Sequence, residues 1–406
     1  STQAKTLFPY TTLFRSVRDI AIHKRENDLV IATFGRGFYV LDDYSPLRAV
    51  KAEVLAQDSN LFPVKDALMY VRSSAAVGSQ GASQYLAPNP AYGATVTYYL
   101  KDAIRTKKQQ RQAAEREATR KNEPIKYPTR QELRDEAEEE APALLFTISD
   151  AKGEVVRRLT APAMPGIQRT VWDFRYAPPV VQAAPQLPPG VDLEALGGGG
   201  GFGGFGPQGE LAMPGKYTVT MAKRVNGVIT PLPGTQSFNV VAEGTEKMTP
   251  QDRTILAEFQ RKVVKLQRAV AGATDAATNA KTKLGLMKRA AQEAPGGNQT
   301  LVNEVKALDD KADDVLQALR GGRELTDIPP PSINQRVSSI SQRIRMSALR
   351  PTQTQQEQYA IAAEDFKAAM AKLKALLEVD LPKVEKGLEG AGAPWSAGRL
   401  PVWPEK

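Results

Sequence analysis

The sequence predicts a multidomain α+β protein in which a β-rich half precedes a helical half. Runs of β-branched and aromatic residues with turn residues between them fill the chain as far as Val241. From Met248 the apolar residues recur at the spacing of an amphipathic helix instead. At 406 residues the chain is long enough for roughly two to four domains.

Residues 17–50 predict a three-stranded β-meander. Three runs rich in β-branched and aromatic residues follow one another closely, namely VRDIAI, LVIATF and FYVLDD. The polar turn KREND separates the first two runs, and Gly35-Arg36-Gly37 lies where the chain must turn tightly before the third. Because an isolated three-stranded sheet leaves an apolar face exposed, the pattern indicates neighbouring sheets.

This segment resembles the closing blade of the BNR-repeat, sortilin-type β-propellers, whose bacterial members are often labelled glycosyl hydrolases. The matching residues are Asn27, Asp28, Thr33, Gly35, Arg36, Gly37, Phe38, Val40, Leu41, Asp42 and Asp43. The later order of a sandwich with a VWDFRY-like strand, a helical region and a Trp/Pro tail is also similar to that family. The aspartate boxes S-x-D-x-G-x-T-W of the earlier blades do not occur in this sequence. The resemblance therefore implies a partial propeller of one blade at most, with structural roles for the matched residues.

The first residues carry a different signal. Residues 6–16, TLFPYTTLFRS, are identical to one translated frame of a widely used sequencing adapter. We therefore interpret residues 1–16 as an artefact and exclude them from the fold prediction. The expectation is that the authentic chain begins near Val17 and that earlier blades precede it in the parent protein.

Residues 51–89 are predicted to be a connector, and residues 90–245 a β-sandwich of immunoglobulin or fibronectin type III appearance. The candidate strands are residues 94–100, 143–149, 154–159, 166–176, 216–222 and 236–241. Their alternating apolarity and the turns between them are typical of such a sandwich. Trp172 is interpreted as a core residue rather than a sugar platform, because a buried Trp removes a large apolar area from water.

Two insertions interrupt the predicted sandwich. Residues 101–142 are basic first and acidic later, which predicts a solvated pair of helices, with a grip on an anionic polymer as the alternative. Residues 182–214 are rich in proline and then in glycine, which predicts a surface loop. The loop contains G-x-G-x-x-G at residues 201–206, but Pro207-Gln208-Gly209 follows where a dinucleotide site needs a helix. No nucleotide cofactor is therefore predicted.

Residues 246–380 predict an antiparallel helical bundle. Thr249-Pro250-Gln251-Asp252 combines a capping hydroxyl, an early proline and a first-turn acid, which indicates the start of the first helix. Its apolar positions continue at helical spacing to Val270. Further helices are predicted at residues 281–293, 301–319, 333–349 and 352–378, the last with a capping-box spacing at Thr352 and Gln355. Residues 381–406 are a Trp/Pro tail, in which Trp395 and Trp403 are expected to pack against a neighbouring domain.

The composition argues against several functions. The formal net charge of +9 falls to +7 without Lys5 and Arg15, and the bases are mixed with acids rather than clustered, which argues against nucleic-acid binding. The sequence has no cysteine and His23 is its one histidine, so disulfides, Cys-His pairs and multi-histidine metal sites are excluded. No apolar run approaches the roughly 20 residues of a membrane span.

A glycosidase needs only two carboxylates, and the acids of the meander could supply them. The candidates are Asp19, Asp28, Asp42 and Asp43. At a strand end, Asp42 and Asp43 are interpreted as turn acceptors or arginine partners. A propeller enzyme draws its catalytic groups from several blades, which one blade cannot supply. No catalytic, cofactor-binding or metal-ligating residue is therefore predicted.

The function predicted from the residues and the resemblance is a non-catalytic, C-terminal scaffold of a secreted, extracytoplasmic protein. Its expected partners are the upstream propeller blades and a protein or glycan ligand. The alternative is an accessory part of a glycoside hydrolase whose catalytic propeller lies elsewhere. A third hypothesis makes the helical bundle a partner-binding module. Likeness of fold alone establishes none of these activities.

Overall fold

A computed structural model describes residues 17–34, 37–70, 89–181, 209–242, 248–297, 299–322, 330–345, 349–400 and 403. Within these residues the chain is a mixed α+β protein with a curled, half-barrel sheet and a C-terminal helical region. The strands are β1 (Val17–His23), β2 (Asp28–Thr33), β3 (Gly37–Leu41), β4 (Ser59–Leu61), β5 (Ala67–Met69), β6 (Ala94–Leu100), β7 (Ala143–Asp150), β8 (Val155–Pro162), β9 (Gly166–Trp172), β10 (Gly215–Val225) and β11 (Val228–Ala242). The helices are α1 (Ala52–Ala56), α2 (Lys107–Lys121), α3 (Arg130–Glu138), α4 (Pro250–Glu293), α5 (Gln299–Arg320), α6 (Ile333–Arg345), α7 (Gln353–Ala375) and α8 (Leu381–Gly390).

The first three strands form a separate antiparallel sheet in the order β1-β2-β3, which confirms the predicted meander. Leu29 of β2 lies opposite Ile22 of β1 on one side and Leu41 of β3 on the other. Every residue of β1 is exposed, and Phe38 and Val40 of β3 are 78% and 56% exposed. The meander therefore presents large apolar side chains to solvent.

The other strands form two sheets that contribute to one core. The larger sheet has the order β5-β11-β10-β7-β8, and the smaller has the order β4-β6-β9. Tyr98 of the smaller sheet packs against Phe146 of the larger one, with ring centroids 4.9 Å apart. Trp172 is fully buried and lies 4.9 Å from the ring of Tyr217, which confirms its interpretation as a core residue.

The structure differs from the predicted connector at residues 59–69. Strand β4 pairs with β6, and β5 pairs in parallel with β11, so both sheets gain an edge strand from this segment. Leu61, at the end of β4, and Phe62, directly after it, are buried. Strands of three residues carry too little periodicity to be recognised in a sequence, which explains the error. Residues 71–88 of the predicted connector lie outside the described residues.

Strand β9 ends at Trp172, whereas the sequence predicted a strand as far as Tyr176. The backbone of Phe174 lies in the left-handed region at φ 58°, and the indole Nε1 of Trp172 donates to the carbonyl of Arg175 at 2.9 Å. Such a conformation is uncommon for a bulky residue, and no glycine, proline or asparagine marks it in VWDFRY. The alternating apolarity of this segment therefore predicted a continuous strand, and no residue type in it indicated the turn.

Strands β10 and β11 extend well beyond the predicted bounds and form one long hairpin. Asn226 and Gly227 connect them with φ values of 49° and 76°. Two consecutive residues with positive φ make the mirror-image turn that Asn-Gly favours. This dipeptide was the signal in the sequence that would have predicted the hairpin.

The charged insertion contains the predicted helical pair. Helices α2 and α3 each begin with a capping box, formed by Thr106 and Thr129 respectively. Arg111 of α2 donates to both carboxylate oxygens of Glu136 of α3, at 2.6 and 2.8 Å. Neither helix buries a residue, which agrees with the prediction of a solvated pair.

The helical region is built around α4, a single helix of 44 residues. Its predicted start is confirmed, because Thr249 Oγ1 accepts a hydrogen bond from the amide of Asp252 at 3.1 Å. The sequence predicted a break between Val270 and residue 281, but the helix continues through it. The stretch is rich in alanine and buries Ala273 and Ala277, which offsets the cost of about 1 kcal/mol for one internal glycine.

Helices α5, α6 and α7 follow the remaining predictions closely. Val315, Val337 and Ala362, one from each helix, belong to the same buried cluster as residues of α4. The capping box at the start of α7 is confirmed, since Gln355 N donates to Thr352 Oγ1 at 3.2 Å. Helix α6 is described from Ile333 to Arg345, and residues 346–348 of the predicted helix lie outside the described residues. Among the described residues, no helix combines the length and the apolarity that a membrane span needs.

The predicted tail at residues 381–406 instead begins with helix α8. A π-helical turn at Leu376–Asp380 joins α7 to it, because Pro382 cannot donate an amide hydrogen bond to the preceding turn. Trp395 and Trp403 are 61% and 88% exposed, so the packing that was expected for them is not observed. The indole Nε1 of Trp395 donates to the carbonyl of Arg399 at 3.0 Å.

Candidate functional site

A cleft of about 560 Å³ lies where the meander meets the two-sheet region. We call it the junction cleft, and its lining includes Glu26, Asp28, Asp42, Lys65, Tyr70 and Tyr92. The lining comes from the β1–β2 turn, the end of β3, and the segments around β5 and before β6. This cleft collects more of the acidic residues singled out in the sequence than any other described cavity.

The two turns of the meander that face this cleft are held together by side chains. Asn27 adopts a left-handed conformation at φ 57°, which suits asparagine, and its carbonyl accepts a hydrogen bond from the amide of Tyr44 at 2.8 Å. The carboxylate of Asp28 accepts a hydrogen bond from the amide of Asp43 at 3.0 Å. Asp43 in turn accepts from the amide of Ser45 at 3.2 Å. The prediction that Asp43 is a turn acceptor is confirmed.

Two basic residues fasten the meander to the two-sheet region. The guanidinium of Arg169, on β9, donates to the carbonyls of Asp42 and Asp43 at 2.6 and 2.7 Å. Lys65 donates to the carbonyl of Glu26 at 3.1 Å and forms an ion pair with its carboxylate. The predicted arginine partner is therefore present, but it binds the backbone of the two aspartates through their carbonyls.

The acidic residues of the junction cleft lie in different electrostatic environments. Burial raises the pKa of the Asp42 carboxyl, the negative charge of Asp28 raises it further, and Arg169 opposes both effects. The hydrogen bond from Lys65 lowers the pKa of Glu26. The imidazole Nδ1 of His23 lies 3.7 Å from Asp28 Oδ2. The carboxyl of Asp42 therefore holds a proton more readily than an ordinary aspartate does.

Tyr70 and Tyr92 line the other side of the junction cleft. Their rings meet edge to face with centroids 4.9 Å apart, and the Tyr92 hydroxyl donates to the Tyr70 carbonyl at 2.9 Å. Tyr92 also packs edge to face against the buried Phe174, at 5.2 Å. This aromatic wall connects the cleft directly to the core of the two-sheet region.

Three further residues of the predicted motif, Thr33, Gly37 and Phe38, lie at the opposite end of the meander. Thr33 Oγ1 donates to the carbonyl of Gly37 at 2.9 Å, and Gly37 has φ 79°. Phe38 is exposed. Gly35 and Arg36 lie outside the described residues. The structure therefore brings Asn27, Asp28, Asp42 and Asp43 together and separates Thr33, Gly37 and Phe38 from them.

No pattern in the sequence predicted Arg169, Lys65 or the two tyrosines of the cleft. Arg169 contacts a residue 127 positions away in the chain, and no local pattern indicates such a contact. Among the described residues, no group of three or more histidine, aspartate or glutamate side chains is arranged to hold a metal ion. The cleft therefore brings together two carboxyl groups, Asp28 and Asp42, and an aromatic wall.

A scan against models of protein families finds no match to this chain. A search of curated protein sequences finds no match either.

Proposed function

We propose that this chain is a non-catalytic scaffold from a secreted protein of the sortilin-type BNR-repeat β-propeller class. In this proposal the meander is a closing blade, the two-sheet region is a sandwich of immunoglobulin or fibronectin type, and the helices form an antiparallel bundle. The scaffold holds the blade in place against further blades of the same protein.

The observation that carries this proposal is the apolar character of both faces of the meander. The register places Ile20, Ile22 and Leu41 on one face. Phe38, Val40 and Val30 lie on the other. Soluble monomers rarely expose contiguous apolar patches of more than a few hundred Å². A sheet that is apolar on both sides is stable when it is covered on both sides, as a blade between two blades is.

The junction contacts support a bracing role. Arg169 and Lys65 hold the meander at one end, and within the described part of the chain most of its apolar side chains stay exposed to solvent. The same contacts support a structural rather than a catalytic use of the acids. Asp28 and Asp43 are engaged with backbone amides, and Glu26 is paired with Lys65.

The genomic sequence upstream of the Val17 codon tests this proposal. We expect an in-frame stretch that encodes repeated S-x-D-x-G-x-T-W boxes in place of residues 1–16. An open reading frame that continues upstream without any such box would contradict the proposal. A glycosidase assay on the purified chain is expected to show no turnover, and turnover would overturn the non-catalytic role.

A second candidate function is glycan binding in the junction cleft, as an accessory part of a glycoside hydrolase. The volume of the junction cleft lies within the roughly 300–1,000 Å³ that is usual for small-ligand sites. Tyr70 is 47% exposed and offers an aromatic surface in the cleft that Asp42 also lines. On a glycan array, we expect binding that is lost in Asp42→Asn and kept in Asp58→Asn, an aspartate outside the cleft. Equal binding by both variants would place the glycan elsewhere.

A further inference from the structure

Polar contacts join the two-sheet region to the helical region at a place that we call the sheet–helix joint. Its residues are Glu210, Leu211, Gln260 and Arg261. The amide of Leu211 donates to the side-chain oxygen of Gln260 on α4, at 3.3 Å. The carboxylate of Glu210 lies 3.4 Å from Nε of Arg261, the next residue of the same helix. These contacts join the segment before β10 to the eleventh and twelfth residues of the long helix, at the end of its third turn.

The segment that carries Glu210 is fixed to the sheets through its backbone. The carbonyl of Glu210 accepts a hydrogen bond from the amide of Tyr176 at 2.9 Å, and the amide of Ala212 donates to the carbonyl of Phe174 at 2.7 Å. A Cβ atom on Gly209 would lie 2.1 Å from the carbonyl oxygen of Tyr176. The backbone beside Glu210 therefore has no room to shift without breaking these contacts.

The carboxylate of Glu210 sits in a nearly closed environment. Its side chain is 14% exposed, whereas that of Arg261 is 52% exposed. The space left at the joint is about 20 Å³, with Arg175 and Glu210 on the sheet side and Val263 and Ser341 on the helix side. Burial raises the pKa of the Glu210 carboxyl, and the charges of Arg261 and Lys265 only partly oppose this. Docking of the helical region therefore raises the free energy of the charged form of Glu210 relative to its protonated form.

We propose that Glu210 is a pH-sensitive latch that tightens the docking of the helical region on the two-sheet region when it is protonated. Because its backbone is held by the sheets, a charged Glu210 regains water most easily when the helical region moves away. The groups that face it are Arg261 and Lys265 from α4, and Arg175 and Tyr176 from the sheet side.

The sign follows from proton linkage. When the regions separate, Glu210 is in water and its pKa returns to the ordinary value for a glutamate. The pKa of Glu210 is higher in the docked state, so the docked state binds the proton more tightly. Protonation therefore adds to the free energy of docking, and this addition is complete at a pH below the ordinary pKa of glutamate. The addition is lost as the pH rises through the higher pKa of the docked state. Acidification is thus expected to tighten the joint.

Spin labels on the two regions test the latch directly. The chain has no native cysteine, so a Lys152→Cys and Arg268→Cys pair, both exposed, gives a single distance between the β7–β8 turn and α4. Pulsed electron paramagnetic resonance is then recorded on samples frozen at a series of pH values. We expect a narrow distance distribution at acidic pH that broadens as the pH rises. In Glu210→Gln the distribution should stay narrow throughout.

Two further variants complete the experiment. Glu258→Gln removes an exposed acid from the same helix and should respond to pH as the unmodified chain does. Arg261→Gln removes the cation that favours the charged form, so the transition should move to higher pH by up to about 0.7 of a unit. This shift remains measurable if Glu210→Gln does not fold. The proposal would be overturned if the distance distribution of the unmodified chain broadens on acidification or does not change with pH. It would also be overturned if Glu210→Gln or Arg261→Gln shows the same pH dependence as the unmodified chain.

Discussion

Gly93 occupies a position at the start of β6 that admits no side chain. Its φ is 143°, and a Cβ atom there would lie 2.1 Å from the carbonyl oxygen of Trp172, on the neighbouring strand β9. The contact is with backbone rather than with a mobile side-chain end, so it cannot be relieved by a change of rotamer. The fully buried Trp172 and the Tyr92 wall of the junction cleft both depend on this close approach.

We therefore expect Gly93→Ala to destabilise the protein by at least about 1–3 kcal/mol, the usual range for overpacking. The measurement is the urea concentration at which half the protein unfolds, followed by tryptophan fluorescence. Gly285→Ala is the matched control, since a Cβ atom there meets nothing within 4 Å and the residue lies inside α4. That variant should gain about 0.5–1 kcal/mol, because alanine is the better helix former. Equal effects of the two substitutions would refute the steric argument.

At the scale of elements, the meander and the two-sheet region are separate sheets joined by a few directed contacts. Arg169 supplies two hydrogen bonds from one planar group, a geometry that lysine cannot reproduce. We expect Arg169→Lys to loosen the meander without unfolding the rest of the chain. Amide hydrogen exchange should quicken in β1–β3, with a loss of about 1–2 kcal/mol in opening free energy, and stay unchanged in β7 and β10.

Arg158→Lys serves as the control for that substitution. It changes an exposed arginine on β8, the edge strand of the larger sheet, and should leave exchange in the meander as it was. Slower exchange in the meander of Arg169→Lys, or faster exchange spread evenly over all strands, would show that Arg169 does not fasten this sheet specifically.

The elements also show what the sequence could and could not predict. The meander and the helix starts at Thr249 and Thr352 were predicted, because strand runs, turns and caps are local patterns. The hairpin turn at Asn226 carried an equally local signal that was overlooked. The continuity of α4 depends on alanines buried against other helices, which the spacing of large apolar residues does not reveal. The latch residue Glu210 lies in a segment without periodicity, so its role required the packed structure.

In the whole molecule, the three parts of the chain differ in how far they bury their apolar side chains. The two-sheet region buries Trp172, Tyr98 and Phe146 in one core, and the helical region has buried clusters of its own. The meander, in contrast, exposes apolar residues on both faces. It is therefore the part of the described chain with the greatest need of a partner.

We expect this surface to bind an apolar dye such as anilinonaphthalene sulfonate, and the double variant Ile20→Thr, Phe38→Thr to lose most of that binding. The two residues lie on opposite faces of the meander, and threonine preserves the strand propensity while it removes apolar surface. The matched control is Val228→Thr, Ile229→Thr, which alters two residues at a hairpin tip that are 66% and 54% exposed. It should bind nearly as much dye as the unmodified chain, because adjacent residues at a tip form no broad patch. If the two double variants bind equally, the meander is not the exposed apolar surface, and the proposed packing of further blades on it loses its support.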